Sequence, residues 1–131
     1  MNELFTAIYA LMDAGGDFKT SISGRLYKDK APQDPTFPYC VMTLIEELPD
    51  RMFIEKFEDT QIRFNIYSNN NSASEAGNIL EYLNDLYNEC TLSISGYTFL
   101  YMCLTSITED DDIEEKIVGY EAIYKVKVLD G

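Results

Sequence analysis

Leu4, Phe5, Ile8, Leu11 and Met12 recur at the spacing of one helix face, and Gly15-Gly16 ends the run. The spacing predicts an amphipathic helix over Asn2–Ala14. Its polar face is acidic, which suits a helix lying on a sheet better than one lying on a membrane. Phe18 and Ile22 fit one further turn, or a packed loop, before Gly24. From Gly24 to Ile45 the chain passes from a short basic patch, Gly24-Arg25-Leu26-Tyr27, through a loop marked by Pro32, Pro35 and Pro38. It then enters a strand. Proline lacks a donor and has a fixed φ, so Pro38 sets where sheet pairing begins. The strand Tyr39–Glu46 is apolar on both faces, Tyr39/Val41/Ile45 and Cys40/Met42/Leu44, which predicts a central position. Pro49-Asp50 signals a turn.

The next stretch, Arg51–Glu58, mixes charges with large apolar groups. Thr60–Ser68 then alternates, with Ile62, Phe64 and Ile66 on one side and Gln61, Arg63, Asn65 and Tyr67 on the other. That pattern predicts a half-buried strand, antiparallel to the previous one if a hairpin joins them. Asn69-Asn70-Asn71 reads as a polar turn and Ser72-x-x-Glu75 as a capping box. The helix this opens runs to about Cys90, with Ala76, Ile79, Leu80, Leu83, Leu86, Tyr87 and Cys90 as its buried stripe. Beyond it come a short strand, Thr91–Ile94, a turn at Ser95-Gly96, and a long strand, Tyr97–Ile107, apolar on both faces. The last strand covers Val118–Leu129, with Ala122, Tyr124, Val126 and Val128 facing one way and Gly119 marking a possible bulge. These elements predict an α+β fold in one domain, residues 1–131: a mainly antiparallel β-sheet with two amphipathic helices packed on one face.

Composition narrows the function. A chain of 131 residues can bury a single core without disulfides or metals to staple it. The net charge of −13 repels phosphate backbones, and the ten basic residues form no cluster, so sequence-independent nucleic-acid binding is not expected. The N-terminal stretch has neither the basic flank of a signal peptide nor the length of a spanning helix, and no membrane association is expected. Cys40, Cys90 and Cys103 are odd in number, lack C-x-x-C spacing and fall in apolar elements, which reads as buried reduced thiols.

Catalytic chemistry finds little support. The chain has no histidine, and its seven glycines form no phosphate-cradling loop. No catalytic residue, cofactor or metal site is expected. The run Glu109, Asp110, Asp111, Asp112, with Glu114 and Glu115 beyond, lacks the alternation and glycine of a calcium loop and reads as a solvated connection. Glu81 and Asp85, one helical turn apart, read as a wet helix surface. Arg25 could hold an anion or pair with one of the many carboxylates. Tyr27, Tyr67, Phe53 and Phe57 lie where one monomer's core does not fully cover them, and such rigid apolar area favours an oligomer.

Taken in order, the elements resemble the tail completion, or tail terminator, family of long-tailed bacteriophages. The markers are the leading helix, Gly24-Arg25-Leu26-Tyr27, Ala31-Pro32-Gln33, Pro38-Tyr39-Cys40-Val41, Phe64-Asn65-Ile66-Tyr67-Ser68 before the long helix, and the closing strand, together spanning Leu4 to Asp130. The resemblance implies a non-enzymatic virion protein of the tail, made in the bacterial host cytoplasm. It implies a homo-oligomeric ring, usually a hexamer, on the head-proximal end of the tail tube. Its partners would be its own copies, the tail tube protein and the head connector, with DNA passing through the bore without specific binding. In such a ring, Arg51, Met52, Phe53, Ile54 and Phe57, together with Tyr27 and Tyr67, are the candidate contacts with neighbour or tube. An ordinary hairpin folded on its own sheet is an equal reading of Arg51–Glu58. The Glu109–Glu115 run is a candidate acidic lumen or loop. The competing expectations are another head–tail joining protein, a small cytosolic enzyme using carboxylates and a divalent metal, and a monomeric binding module.

Overall fold

A computed structural model describes residues 2–52, 55–69, 73–109, 111 and 116–130, with the backbone alone at 2, 46–52, 55–59, 73 and 130. The elements, in order, are α1 (Asn2–Asp13), α2 (Asp17–Ile22), β1 (Leu26–Lys28), β2 (Tyr39–Met52), β3 (Glu55–Ser68), α3 (Ala73–Tyr87), β4 (Tyr97–Glu109) and β5 (Val118–Asp130). The apolar face of α1 is buried through Leu4, Phe5, Ile8 and Met12. At Gly15 and Gly16, φ of 104° and 123° places the backbone where side chains are disfavoured, and the helix stops there. The further turn at Phe18 and Ile22 is a helix, α2, and both side chains are buried. It closes with Ser23 in the left-handed region, and the Gly24 N–H donates to the Lys19 carbonyl at 2.9 Å.

The strands form one mixed sheet in the order β1-β2-β3-β5-β4. β1 runs parallel to β2, and the other three pairings are antiparallel. The helices lie on one face, as the α+β expectation has it. Buried there are Cys40 and Met42 of β2, Ile62, Phe64 and Ile66 of β3, and Ala122, Tyr124, Val126 and Val128 of β5. The core is aromatic at its centre. Phe64 stacks on Tyr87 at 5.3 Å and meets the edge of Tyr124 at 5.6 Å, and Phe18 meets Tyr87 edge-on at 6.0 Å. The Tyr87 hydroxyl donates to the Ile8 carbonyl and the Tyr124 hydroxyl to Asn84 Oδ1, each at 2.9 Å, so neither polar tip is orphaned.

Several elements differ from the sequence expectation. The patch at Gly24–Tyr27 contains a strand, β1, whose three residues pair with Cys40–Met42. β2 is therefore next to the edge, and β3 is central. Pro49 does not turn the chain. It stands in β2 opposite Glu58, because β1 covers only Cys40–Met42 and proline is tolerated on an edge that lacks a neighbour. The irregularity in β2 falls instead at Ile45, an extra residue between the pairs Leu44–Ile62 and Glu46–Gln61. Ser72 lies outside the described residues, and the Glu75 carboxylate accepts a 2.6 Å hydrogen bond from the Ser68 hydroxyl. Helix α3 ends at Tyr87.

Thr91–Ile94 is a loop. Leu92 and Ile94 are buried as their alternation suggests, but they drop into the core without a strand to pair with. β4, apolar on both faces in the sequence, is an edge strand. Of its apolar residues only Met102 is fully buried, and the strand carries irregularities between Phe99 and Tyr101 and between Leu104 and Ser106. Gly119 pairs regularly with Tyr67, so no bulge forms there.

Candidate interaction surface

Because the pleat alternates, the helix-free face of the sheet carries the other half of each strand. Across it stand Tyr39, Val41 and Thr43 of β2, Gln61, Arg63, Asn65 and Tyr67 of β3, and Glu121, Ile123, Lys125 and Lys127 of β5. Among the described residues no helix covers this face. Tyr39 lies at its aromatic centre, in register with Tyr67, at 5.2 Å from the Tyr67 ring, 5.2 Å from Phe37 and 6.1 Å from Tyr27. The structure therefore brings together Tyr27 and Tyr67, two sequence-selected residues far apart in the chain, through a tyrosine that was read only as part of a strand. Burial raises the Tyr39 hydroxyl above its ordinary pKa of 10.0, with the neighbouring Tyr27 adding to the effect.

Beside the tyrosines, the Asp29–Ala31 loop and the sheet border an open groove of about 290 Å³, lined by Thr43, Arg63 and Asn65 among others. Arg63 Nε is buried and finds no acceptor among the described residues. A guanidinium left this way is costly unless something supplies the acceptor. Arg25 behaves differently. Its Nε donates to the Pro38 carbonyl at 3.0 Å and a terminal nitrogen donates to the Phe37 carbonyl at 3.2 Å, so it clamps the end of the proline loop.

The hairpin residues form a separate region. Arg51 pairs with Lys56, Met52 with Glu55, and Phe57 with both Asp50 and Leu129. Phe53 and Ile54 lie outside the described residues. Phe57 and Tyr67 stand ten positions apart along β3, roughly 34 Å of extended strand, so the structure does not unite the hairpin with the tyrosine cluster. In the acidic run, Glu109 ends β4 and is exposed, and Asp111 Oδ1 accepts a 3.1 Å hydrogen bond from the Gly119 N–H. Asp110, Asp112, Glu114 and Glu115 lie outside the described residues. Among the described residues no group of three or more potential ligands gathers as a metal site, and no helix is long and apolar enough to cross a membrane.

One surface escaped the sequence reading. Leu100, Tyr101 and Ile107 of β4 are exposed, at 42%, 38% and 47%. The sequence shows β4 only as apolar on both faces, and no local signal distinguishes an apolar edge from an apolar centre. Its middle is blunted, since the Glu89 N–H donates to the Met102 carbonyl at 2.8 Å and the Leu104 N–H to Asn88 Oδ1 at 2.9 Å. The cysteines are free: Cys40 is buried, while Cys90 and Cys103 are only half-buried. Burial pushes the Cys90 thiol up to about 11 and Cys40 higher still, which makes both poor nucleophiles at neutral pH.

No family model matches the sequence, and no curated protein matches it. The fold does have a solved counterpart. A chain from the virion of a native gene transfer agent (GTA) particle matches with a TM-score of 0.78 at 10% sequence identity, covering 95% of this chain and 92% of that one. At that identity the likeness is one of fold.

Proposed function

We propose that this chain is a structural protein of a phage or phage-like virion, and that within it the chain forms the ring that ends the tail tube at its head-proximal end. The observation that carries this reading is the fold likeness over nearly the whole chain to a component of a gene transfer agent virion. The order of the tail-terminator markers supports the finer assignment to the tail. The physics is compatible with it. A contact repeated by a closing rotation makes a ring, and a ring sharing the tube's symmetry can cap it. Copies carrying −13 each would not hold DNA passing through the bore, and Glu109–Glu115 is the segment assigned to line it. The hairpin end at Arg51, Met52, Phe53, Ile54 and Phe57 is assigned to the tube, and the surface at Tyr27 and Tyr67 to the neighbouring copy.

Co-sedimentation tests the assignment. The purified protein is mixed separately with tail tubes of the same particle and with its isolated head connector. A tail terminator pellets with tubes at a fixed low ratio that scales with the number of tube ends. Binding to the connector or portal alone, with none to tubes, would instead make it a neck or head-completion protein.

A further inference from the structure

β4 is the last strand of the sheet on the side away from β1. Between Glu89 and Glu109 no residue is charged, the longest such run in a sequence of net charge −13, and the run ends as this strand. Proteins usually guard an exposed edge with charge, proline or a covering element. The cover here reaches only the middle, where the Glu89 N–H and Asn88 Oδ1 take the outward groups of Met102 and Leu104. Along an antiparallel pair, backbone groups alternate between facing the partner strand and facing away. Val126, Tyr124, Ala122 and Tyr120 of β5 oppose Met102, Leu104, Ile107 and Glu109, so the last two also turn their backbone groups outward. Among the described residues nothing receives them. All five residues from Thr105 to Glu109 are exposed, and Ile107, at 47%, is the most exposed of the large apolar residues described.

From this we infer that two copies of the chain pair the Thr105–Glu109 ends of their β4 strands, antiparallel and centred on Ile107, so that two five-stranded sheets become one. The unsatisfied backbone groups call for an extended strand, and charge selects a second copy as its source. Two chains of −13 repel wherever their carboxylates meet, and the neutral edge is where one copy can approach another without facing them. Glu109 decides the direction. A parallel arrangement in register would set Glu109 on Glu109, whereas the antiparallel one sets it opposite Thr105. Threonine and isoleucine suit a strand, and the two Ile107 side chains meet at the axis, each covering apolar surface of the other. Such a contact is two-fold and closes at two copies. It therefore belongs to the free protein, is separate from the heterologous contact that builds a ring, and does not rest on the tail reading.

Sedimentation velocity of the full chain over about 0.01 to 1 mM tests it. Wild type forms a reversible dimer that strengthens as salt rises from about 0.05 to 0.5 M, because salt screens the repulsion between copies and leaves the neutral contact untouched. Ile107→Lys puts a charge on the edge and weakens the dimer by about tenfold or more. Leu100→Lys makes the same charge change on the same strand outside the paired segment and leaves the dimer as in wild type. Circular dichroism and thermal melting check that each variant folds. Oxidation of an Ile107→Cys chain supplies a second readout, a disulfide-linked dimer in high yield that wild type, with its three free cysteines, does not give. A wild type that stays monomeric at the highest concentration and salt would overturn the inference. So would a dimer that Ile107→Lys leaves intact, one that Leu100→Lys weakens equally, or an Ile107→Cys chain that does not cross-link. Binding of tail-tube protein to this edge, lost in Ile107→Lys while wild type alone is monomeric, overturns it in favour of a different strand. Dimers that respond to the variants as expected, with no binding to tubes, support the contact and sink the tail reading, whereas tube capping by a wild type that never dimerises does the opposite.

Discussion

Phe64 shows how the fold is held at the scale of one residue. It is fully buried, stacked on Tyr87 and edge-on to Tyr124, so it ties β3 to α3 and β5 at once. Phe64→Ala should cost about 3–5 kcal/mol, read from urea unfolding, because the rings around it cannot collapse into the space. Tyr87, Tyr124 and Cys40 give the molecule a pH signature. Burial raises all three above their ordinary values of 10.0 for the tyrosines and 9.0 for the thiol. Above those values the unfolded chain has released protons that the folded chain still holds. The stability linked to these groups is therefore intact below about pH 9 and falls as pH rises further. The urea midpoint should be flat from pH 7 to about 9 and then drop. Tyr87→Phe should make the drop shallower, at a cost of about 1 kcal/mol at pH 7 for the bond lost to Ile8. The alternation of Ile62, Phe64 and Ile66 made the burial of Phe64 legible in the sequence. The Arg63 groove was not legible, because alternation shows that Arg63 points away from the core but says nothing of the loop at Asp29–Ala31 that borders it.

At the scale of elements, the long periodic segments α1, β3, α3 and β5 were legible because each has one face to bury and a repeat long enough to show it. The short and the two-faced segments were not. β1 has three residues, too few for a period, and its place is fixed by pairing with β2 across a loop. β4 is apolar on both faces, which suits a buried strand equally well. Pro49 looked like a turn because the shortness of β1, which leaves that part of β2 as an edge, is a tertiary fact. The proline loop depends on Arg25, whose two bonds to the Phe37 and Pro38 carbonyls set the start of β2. Arg25→Met keeps much of the side-chain volume and removes both bonds. It should cost about 1–2 kcal/mol and speed proteolytic cleavage between Lys28 and Pro38, with the pattern of slowly exchanging amides in β3 and β5 unchanged. Equal acceleration of exchange across the whole sheet would show that the clamp has a global role.

For the whole molecule, the sheet is covered by helices on one face and, among the described residues, free of them on the other. Amphipathic periods imply the layered architecture, and the chain's ordered markers led to the family resemblance. The shared face of Glu81 and Asp85 was legible from their spacing, whereas Lys125 and Arg63 come onto adjacent strands only through the β3–β5 register, which no local pattern shows. The central claim concerns what this surface builds. The most direct measurement is electron microscopy of tail-tube protein polymerising with increasing amounts of the purified chain. The account predicts tubes that shorten as the chain is added, each carrying a ring of density at one end only. Tubes of unchanged length with bare ends at saturating protein would contradict it.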